Sequence, residues 1–359
     1  MVRLLIPTRN RPVSLAGVLE FLARFYPGTD VFVADGSEPA YQGQYQDVMA
    51  RSANGLNVIY RRYPHDMPFV TRVLSVLQEL DDECIAMGAD DDFPLMDKMN
   101  EGEAFLLAHP DYVTAIAANV YFALNVRNRL NVSLRMAETL DSEAPQDRAL
   151  QYARTGFSTT YAATRRTHLV DRYQRFEKAF VPGFYDFSVG LHDCVKGKVK
   201  CLEGFGVFAT RNHNHSYVRR DRSGWWLDLS GDISRLRGFL VDDLVSAGLD
   251  QIDAEQLATK AYAMRLAHRL APHLEDNIRR AMNEFAPTDA QRGVFERFNE
   301  MFAADTATHA EFEDRLRHIV DRLQLSAASG DNADEPKKYA SIQMEAPDNL
   351  SAATDEETE

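Results

Sequence analysis

The chain has 359 residues, 45% of them apolar and 26% charged, with a formal net charge of −14. That length predicts about two domains with ample core, and the composition excludes collagen, a coiled-coil rod and wholesale disorder. No window approaches the roughly 18 uninterrupted apolar residues of a membrane span, and net acidity argues against non-specific nucleic-acid binding. In chain order, 2–8 (VRLLIPT) reads as a buried strand, too brief for a helix and ended by Pro7. Pro12 then opens a helix with Leu15, Val18, Leu19, Leu22 and Phe25 at helical spacing. VFVAD (31–35) is a second strand, followed by a helix over 40–52, a strand at 56–61, a helix at 69–80 and a strand at 84–89. Strands alternating with helices predict a parallel sheet of right-handed βαβ units.

Beyond residue 110 the pattern is less regular. Strands are expected at 113–124 and 159–166, helices at 167–179 and 185–196, and extended chain at 198–210. After Asp228 the reading is helical, with further helices over 253–283 and 288–324. The segment 326–359 carries nine acids against two lysines, net −7, which is half of the chain's −14. With almost no apolar residues to offset the entropy of ordering, it reads as a disordered acidic tail. The opening MVRLLIPTRNRP has too short an apolar run for a secretory signal. Three cysteines, Cys84, Cys194 and Cys201, cannot form a disulfide framework and read as buried apolar residues in a reducing cytoplasm.

In an open parallel sheet, ligands bind beyond the carboxyl ends of the strands. Three strands deliver polar groups there: Thr8-Arg9-Asn10-Arg11 after the first, Asp35-Gly36-Ser37 after the second, and Asp90-Asp91-Asp92 after the fourth. Adjacent carboxylates repel unless a cation sits among them, and oxygen donors suit Mg²⁺ or Mn²⁺. Asp35 is placed to accept a hydrogen bond from a nucleoside, so a nucleoside diphosphate fits both anchors. Taken singly, Asp35 before Gly-Ser can be a turn former and the triplet a helix cap. Their shared order and edge favour a metal–nucleotide site. A dinucleotide-binding domain would need glycines after the first strand, where PTRNRP has none.

These residues resemble family-2-like glycosyltransferases of the GT-A fold: Pro7-Thr8-Arg9-Asn10-Arg11 opens the chain, Val33-Ala34-Asp35-Gly36-Ser37 follows the second strand, and Asp90-Asp91-Asp92 corresponds to the DxD motif. The resemblance implies an α/β GT-A (Rossmann-like, nucleotide-diphospho-sugar transferase) domain over 1–225, a helical C-terminal region over 226–325 and the tail over 326–359. It implies that Thr8 and Arg11 line the nucleotide pocket, Asp35 contacts base or ribose, and Asp90 and Asp91 lie near ribose and diphosphate. Asp92 would hold Mn²⁺ or Mg²⁺, with His213 or His215 in RNHNHSY as a further contact. In FYDFSVGLHDCVKGKVKCL, Asp186 takes the place of the catalytic base, with Tyr185-Asp186 replacing the family's Glu-Asp pair.

The activity implied is metal-dependent, inverting transfer of a sugar from a UDP-type nucleotide-diphosphate donor to a hydroxyl of a glycan, lipid-linked or protein acceptor, as in polysaccharide biosynthesis. The alternative is a sugar-nucleotide-binding or assembly subunit without turnover. Asp193, an acid in mid-helix and so expected to be exposed, ranks second as base. Trp225 and Trp226 read as a core or interface anchor, with sugar stacking as the other reading. Apolar positions Leu236, Phe239, Leu240 and Leu244 form a face for packing, self-association or acceptor docking. The expected location is the cytoplasm, including the inner face of the membrane.

Overall fold

The computed structural model describes residues 1–52, 55–124, 130–177, 185–210, 229–270, 289–301, 303 and 306–328. The elements run β1 (Arg3–Thr8), α1 (Pro12–Phe25), β2 (Asp30–Asp35), α2 (Gln42–Ser52), β3 (Asn57–Arg62), α3 (Phe69–Glu79), β4 (Cys84–Met87), β5 (Phe93–Pro94), α4 (Met96–Ala108), β6 (Tyr112–Leu124) and β7 (Leu130–Arg135). There follow α5 (Pro145–Thr155), β8 (Ala163–Arg165), α6 (Arg166–Phe176), α7 (Tyr185–Lys196), β9 (Lys198–Thr210), α8 (Leu229–Ser246) and α9 (Gln251–Leu270). The last two helices described are α10 (Asp289–Glu300) and α11 (Ala307–Ala328).

One sheet carries the strands in the order β3-β2-β1-β4-β8-β6-β9-β5, with β7 on β6. The first four are parallel, as the alternation of strands and helices predicts. Past these four the sheet is mixed, and β8 runs antiparallel to both β4 and β6. The β6–β9 pair is parallel again, whereas β5 and β7 run antiparallel to their partners. The strand expected over 159–166 is confined to Ala163–Arg165. Elements absent from the sequence reading are β5, β7 and α5. Pro94 fits β5 because that strand is the sheet's edge, where its missing N–H breaks no ladder.

Alternation along the central strands builds two layers of core. Leu4, Ile6, Val31, Val33, Cys84 and Ala86 point to one face, against Leu15, Leu19 and Leu22 of α1. Leu5, Phe32, Ala34, Ile85 and Met87 point to the other, against Val70, Val73 and Leu77 of α3 and Leu169 and Tyr173 of α6. The C-terminal helices share these cores. Phe312, Leu316, Ile319 and Leu323 of α11 join the α1 layer, while Leu236, Leu240 and Leu244 of α8 pack with Tyr152, Phe187 and Leu191. The face predicted on α8 is thus packed inside the molecule. The helical stretch expected over 288–324 is broken between α10 and α11, and α11 runs on to Ala328, past the expected start of the tail at 326.

Candidate active site

The parallel order β2-β1-β4 brings the ends of three strands to one edge, and hydrogen bonds join them. The Gly36 amide donates to the Thr8 carbonyl at 3.0 Å, and the Gly88 amide to the Leu5 carbonyl at 2.9 Å. Asn10 takes a positive φ of 57°, a region asparagine tolerates better than most residues. From there its amide donates to Ser37 Oγ (2.8 Å) and its side-chain oxygen accepts from the Glu38 amide (2.9 Å). Gly36 has no room for a side chain, since a Cβ would lie 1.4 Å from Nη1 of the buried Arg72.

The aspartate triplet is buried at this edge. Thr8 Oγ1 donates to Asp90 Oδ2 at 2.8 Å, and Arg11 Nη1 donates to Asp90 Oδ1 at 2.7 Å. Arg11 Nη2 also pairs with Asp91. Asp92 has neutral partners: the Thr210 amide donates to its Oδ1 at 2.7 Å, and the Tyr161 hydroxyl bonds to it as well. Arg11 thus pairs with two of the three carboxylates and leaves Asp92 without a cationic partner among the ion pairs of the described residues. Burial raises the Asp90 carboxyl to about 6 against the pull of Arg11, and burial with Asp91 alongside raises that of Asp92 well above the ordinary range. Hard oxygen donors with excess negative charge suit a divalent cation of the Mg²⁺ or Mn²⁺ type.

Thr8 therefore meets Asp90, and Arg11 meets both Asp90 and Asp91. Asp35 is wholly buried, and both its oxygens are engaged, Oδ1 by the Ser37 amide at 2.7 Å and Oδ2 by the Tyr60 hydroxyl at 2.6 Å. Tyr60 stacks on Tyr45 (centroids 6.3 Å apart), whose hydroxyl pairs with Thr8 Oγ1 at 2.8 Å and accepts from the Arg11 amide at 3.1 Å. His213, His215, Trp225 and Trp226 lie outside the described residues. The described chain leaves β9 at Thr210, in contact with Asp92.

Asp186 is exposed in the first turn of α7, with Oδ1 accepting from Thr160 Oγ1 at 3.3 Å. Burial and the charges of Asp92, Asp91 and Asp186 together raise the Tyr161 phenol, and Thr160, which holds Asp186, is its neighbour in the chain. The helix is held at both ends. Tyr152 donates its hydroxyl to the Phe157 carbonyl (2.7 Å) and the Asp186 carbonyl (3.3 Å), an approach that requires Gly190, where a Cβ would lie 2.1 Å from the Tyr152 ring and hydroxyl. At the other end Arg148 donates to the Cys194 carbonyl (2.6 Å) and the Val195 carbonyl (3.2 Å), satisfying C-terminal groups that helices leave open.

Asp193 corrects the expectation of an exposed acid. It is wholly buried, accepting from Arg172 Nε (3.0 Å) and Nη2 (2.8 Å), from Thr159 Oγ1, and bonded to His168 Nε2 (2.8 Å). Burial alone would raise its carboxyl, but Arg172 and these bonds hold it down at about 2. An acid so occupied is a structural ion-pair partner and is closed to an acceptor. Sequence reasoning missed Tyr45, Tyr60, Tyr161 and Thr210. They lie on other elements, up to 119 residues from the acids they touch, and carry no local signal.

No known protein family profile and no curated protein sequence matches the chain. Among solved structures it is similar to S. aureus TarS 1–349 in complex with UDP-GlcNAc, at 14% identity over 91% of this chain and 92% of that one, with TM-score 0.52. A second crystal structure of S. aureus TarS 1–349 matches at 14% identity and the same coverage, with TM-score 0.50. The chain has the fold of a GT-A glycosyltransferase, a mixed α/β structure with a curled sheet, as the resemblance implied. No helix among the described residues is long and apolar enough to cross a membrane.

Proposed function

We propose that the protein is a metal-dependent, inverting glycosyltransferase using a nucleotide-diphosphate sugar. The observation that carries this reading is the gathering of Thr8, Arg11, Thr210 and the aspartate triplet at one edge of a GT-A sheet, with Asp186 hydrogen-bonded to Thr160, the residue before Tyr161. Thr8, Arg11 and Tyr60 wall the nucleotide pocket, with the buried Tyr45 supporting them from behind, and Asp35 shapes its nucleoside end through the turn and the Tyr60 hydroxyl that it anchors. Asp92, with Asp90 and Asp91 beside it, would hold the divalent cation, and one of His213 and His215 would add a contact. When bound, that cation supplies charge neutralisation for the leaving diphosphate. Asp186 orients the acceptor hydroxyl and takes its proton as the acceptor oxygen bonds to the anomeric carbon. The bond from that carbon to the diphosphate oxygen breaks in the same displacement, and the diphosphate leaves with the electron pair. Tyr161, hydrogen-bonded to Asp92 and close to Asp186, keeps the two functions in register.

The UDP-GlcNAc held by TarS makes UDP sugars the first donors to test. Thermal shift against UDP, GDP, CDP and dTDP and their sugars, with and without Mn²⁺, reads donor binding by mass action. A shift that needs both Mn²⁺ and one diphosphate, together with release of that diphosphate from its sugar, is the expected result. Binding without release supports the assembly-subunit alternative, and no shift in folded protein overturns the proposal.

A further inference from the structure

A second cluster of metal-type donors lies away from the triplet, where α6, α7 and α8 meet. His168 and Asp171 stand one turn apart on α6 and face His192 on α7, and each offers a donor atom within 4.8 Å of the other two. His192 is 1% exposed. Its Nδ1 is bonded to Asp243 Oδ2 of α8 at 2.8 Å. Its Nε2 lies 3.1 Å from Asp171 Oδ2 but lacks the alignment of a hydrogen bond with any partner. In the neutral tautomer that donates Nδ1–H to Asp243, the buried Nε2 lone pair faces a carboxylate oxygen, a repulsion relieved by a proton on Nε2 or by a metal cation between the two. Two donors about 2.0–2.1 Å from one tetrahedral Zn²⁺ stand about 3.3 Å apart, close to the separation here.

The surroundings match what metal-bound histidines require. Each imidazole already has a carboxylate on one ring nitrogen, Asp193 on His168 (2.8 Å) and Asp243 on His192, which fixes tautomer and ring orientation and leaves the second nitrogen to ligate. Arg172 matches the charge of Asp193, and Arg175 and Lys196 match that of Asp243. Asp171 alone of the three acids has no arginine or lysine among the ion pairs of the described residues. Its side chain is 53% exposed, so the cluster opens to solvent on that side. We propose that His168, Asp171 and His192 form a second metal site of the Zn²⁺ type, with solvent as the fourth ligand. Imidazole nitrogens distinguish it from the all-oxygen triplet, which suits Mg²⁺ or Mn²⁺. Bound there, the ion ties α6 to α7, the helix whose first turn carries Asp186.

The test is metal binding by the full chain, independent of donor and transfer. After chelation and dialysis, Zn²⁺ titration with calorimetry and Co²⁺ titration with visible absorption are run on wild type, Asp92→Asn, Asp171→Ala and His168→Gln. Asp171 is exposed, so Asp171→Ala keeps the fold, which circular dichroism checks. One equivalent is expected to bind wild type and Asp92→Asn alike, with a tetrahedral Co²⁺ spectrum, and affinity falls more than about 100-fold in Asp171→Ala and His168→Gln. Unchanged Zn²⁺ affinity in folded Asp171→Ala, loss of binding in Asp92→Asn, or no saturable binding by wild type overturns the proposal. In the last case His192 is an imidazolium between Asp171 and Asp243. None of these outcomes bears on donor binding at the triplet.

Discussion

Asp193→Asn separates a structural acid from a catalytic one. The substitution keeps the shape of the side chain but removes the charge that faces Arg172, itself 1% exposed, and sets an amide against donors on Arg172, Thr159 and His168. Breaking one partner of a buried ion pair leaves the other uncompensated, at a cost of about 3–5 kcal/mol. That is a large part of the roughly 5–15 kcal/mol by which domains are stable. Urea unfolding followed by circular dichroism measures the loss, and an unfolding free energy within about 0.5 kcal/mol of wild type would refute the reasoning. Acid titration gives a second reading with a defined sign. The native carboxyl is held at about 2, below its unfolded value near 4. Its contribution is therefore full above pH 4 and fades as pH falls through 2, whereas Asp193→Asn shows no such component in that window.

Asp186→Asn should behave in the opposite way: the exposed side chain leaves stability within about 0.5 kcal/mol of wild type, donor binding is retained, and sugar transfer drops by roughly 10²–10⁴. Transfer at the wild-type rate places the base elsewhere. Asp92→Ala removes the Mn²⁺-dependent part of the diphosphate thermal shift, and persistence of that shift removes Asp92 as the ligand. Gly190→Ala forces the Tyr152 ring off α7, with a stability loss of about 1–3 kcal/mol in urea unfolding and a lower rate through a displaced Asp186. Gly36→Ala drives a Cβ into the Arg72 guanidinium and should weaken diphosphate binding in calorimetry more than it lowers the unfolding midpoint.

The edge of the sheet was legible from the chain because its signals are local. Short continuous apolar runs within 3–8, 30–35 and 84–87 mark strands buried on both faces, and polar residues follow closely where each strand stops. The pairing of β8 between β4 and β6 was not legible, since three residues carry little pattern and their partners lie some 50 to 80 residues away. The two-residue β5 is a strand solely because β9 runs beside it.

The same division holds at the two acids of α7. Asp186 and Asp193 sit seven residues apart on one helix with similar sequence credentials, and periodicity assigned neither to the interior. Arg172 of α6 and Thr159 before β8 enclose one, while the other is exposed and held by Thr160. Helical spacing likewise puts His168 and Asp171 on one face of α6 but says nothing of His192 or Asp243. Sequence by itself determined which residue types stand at the ends of which strands, because strand and turn propensities act over a few residues. Tertiary structure decided which of those groups are charged, enclosed or open, because burial and ion pairing depend on elements that the chain brings together from far apart.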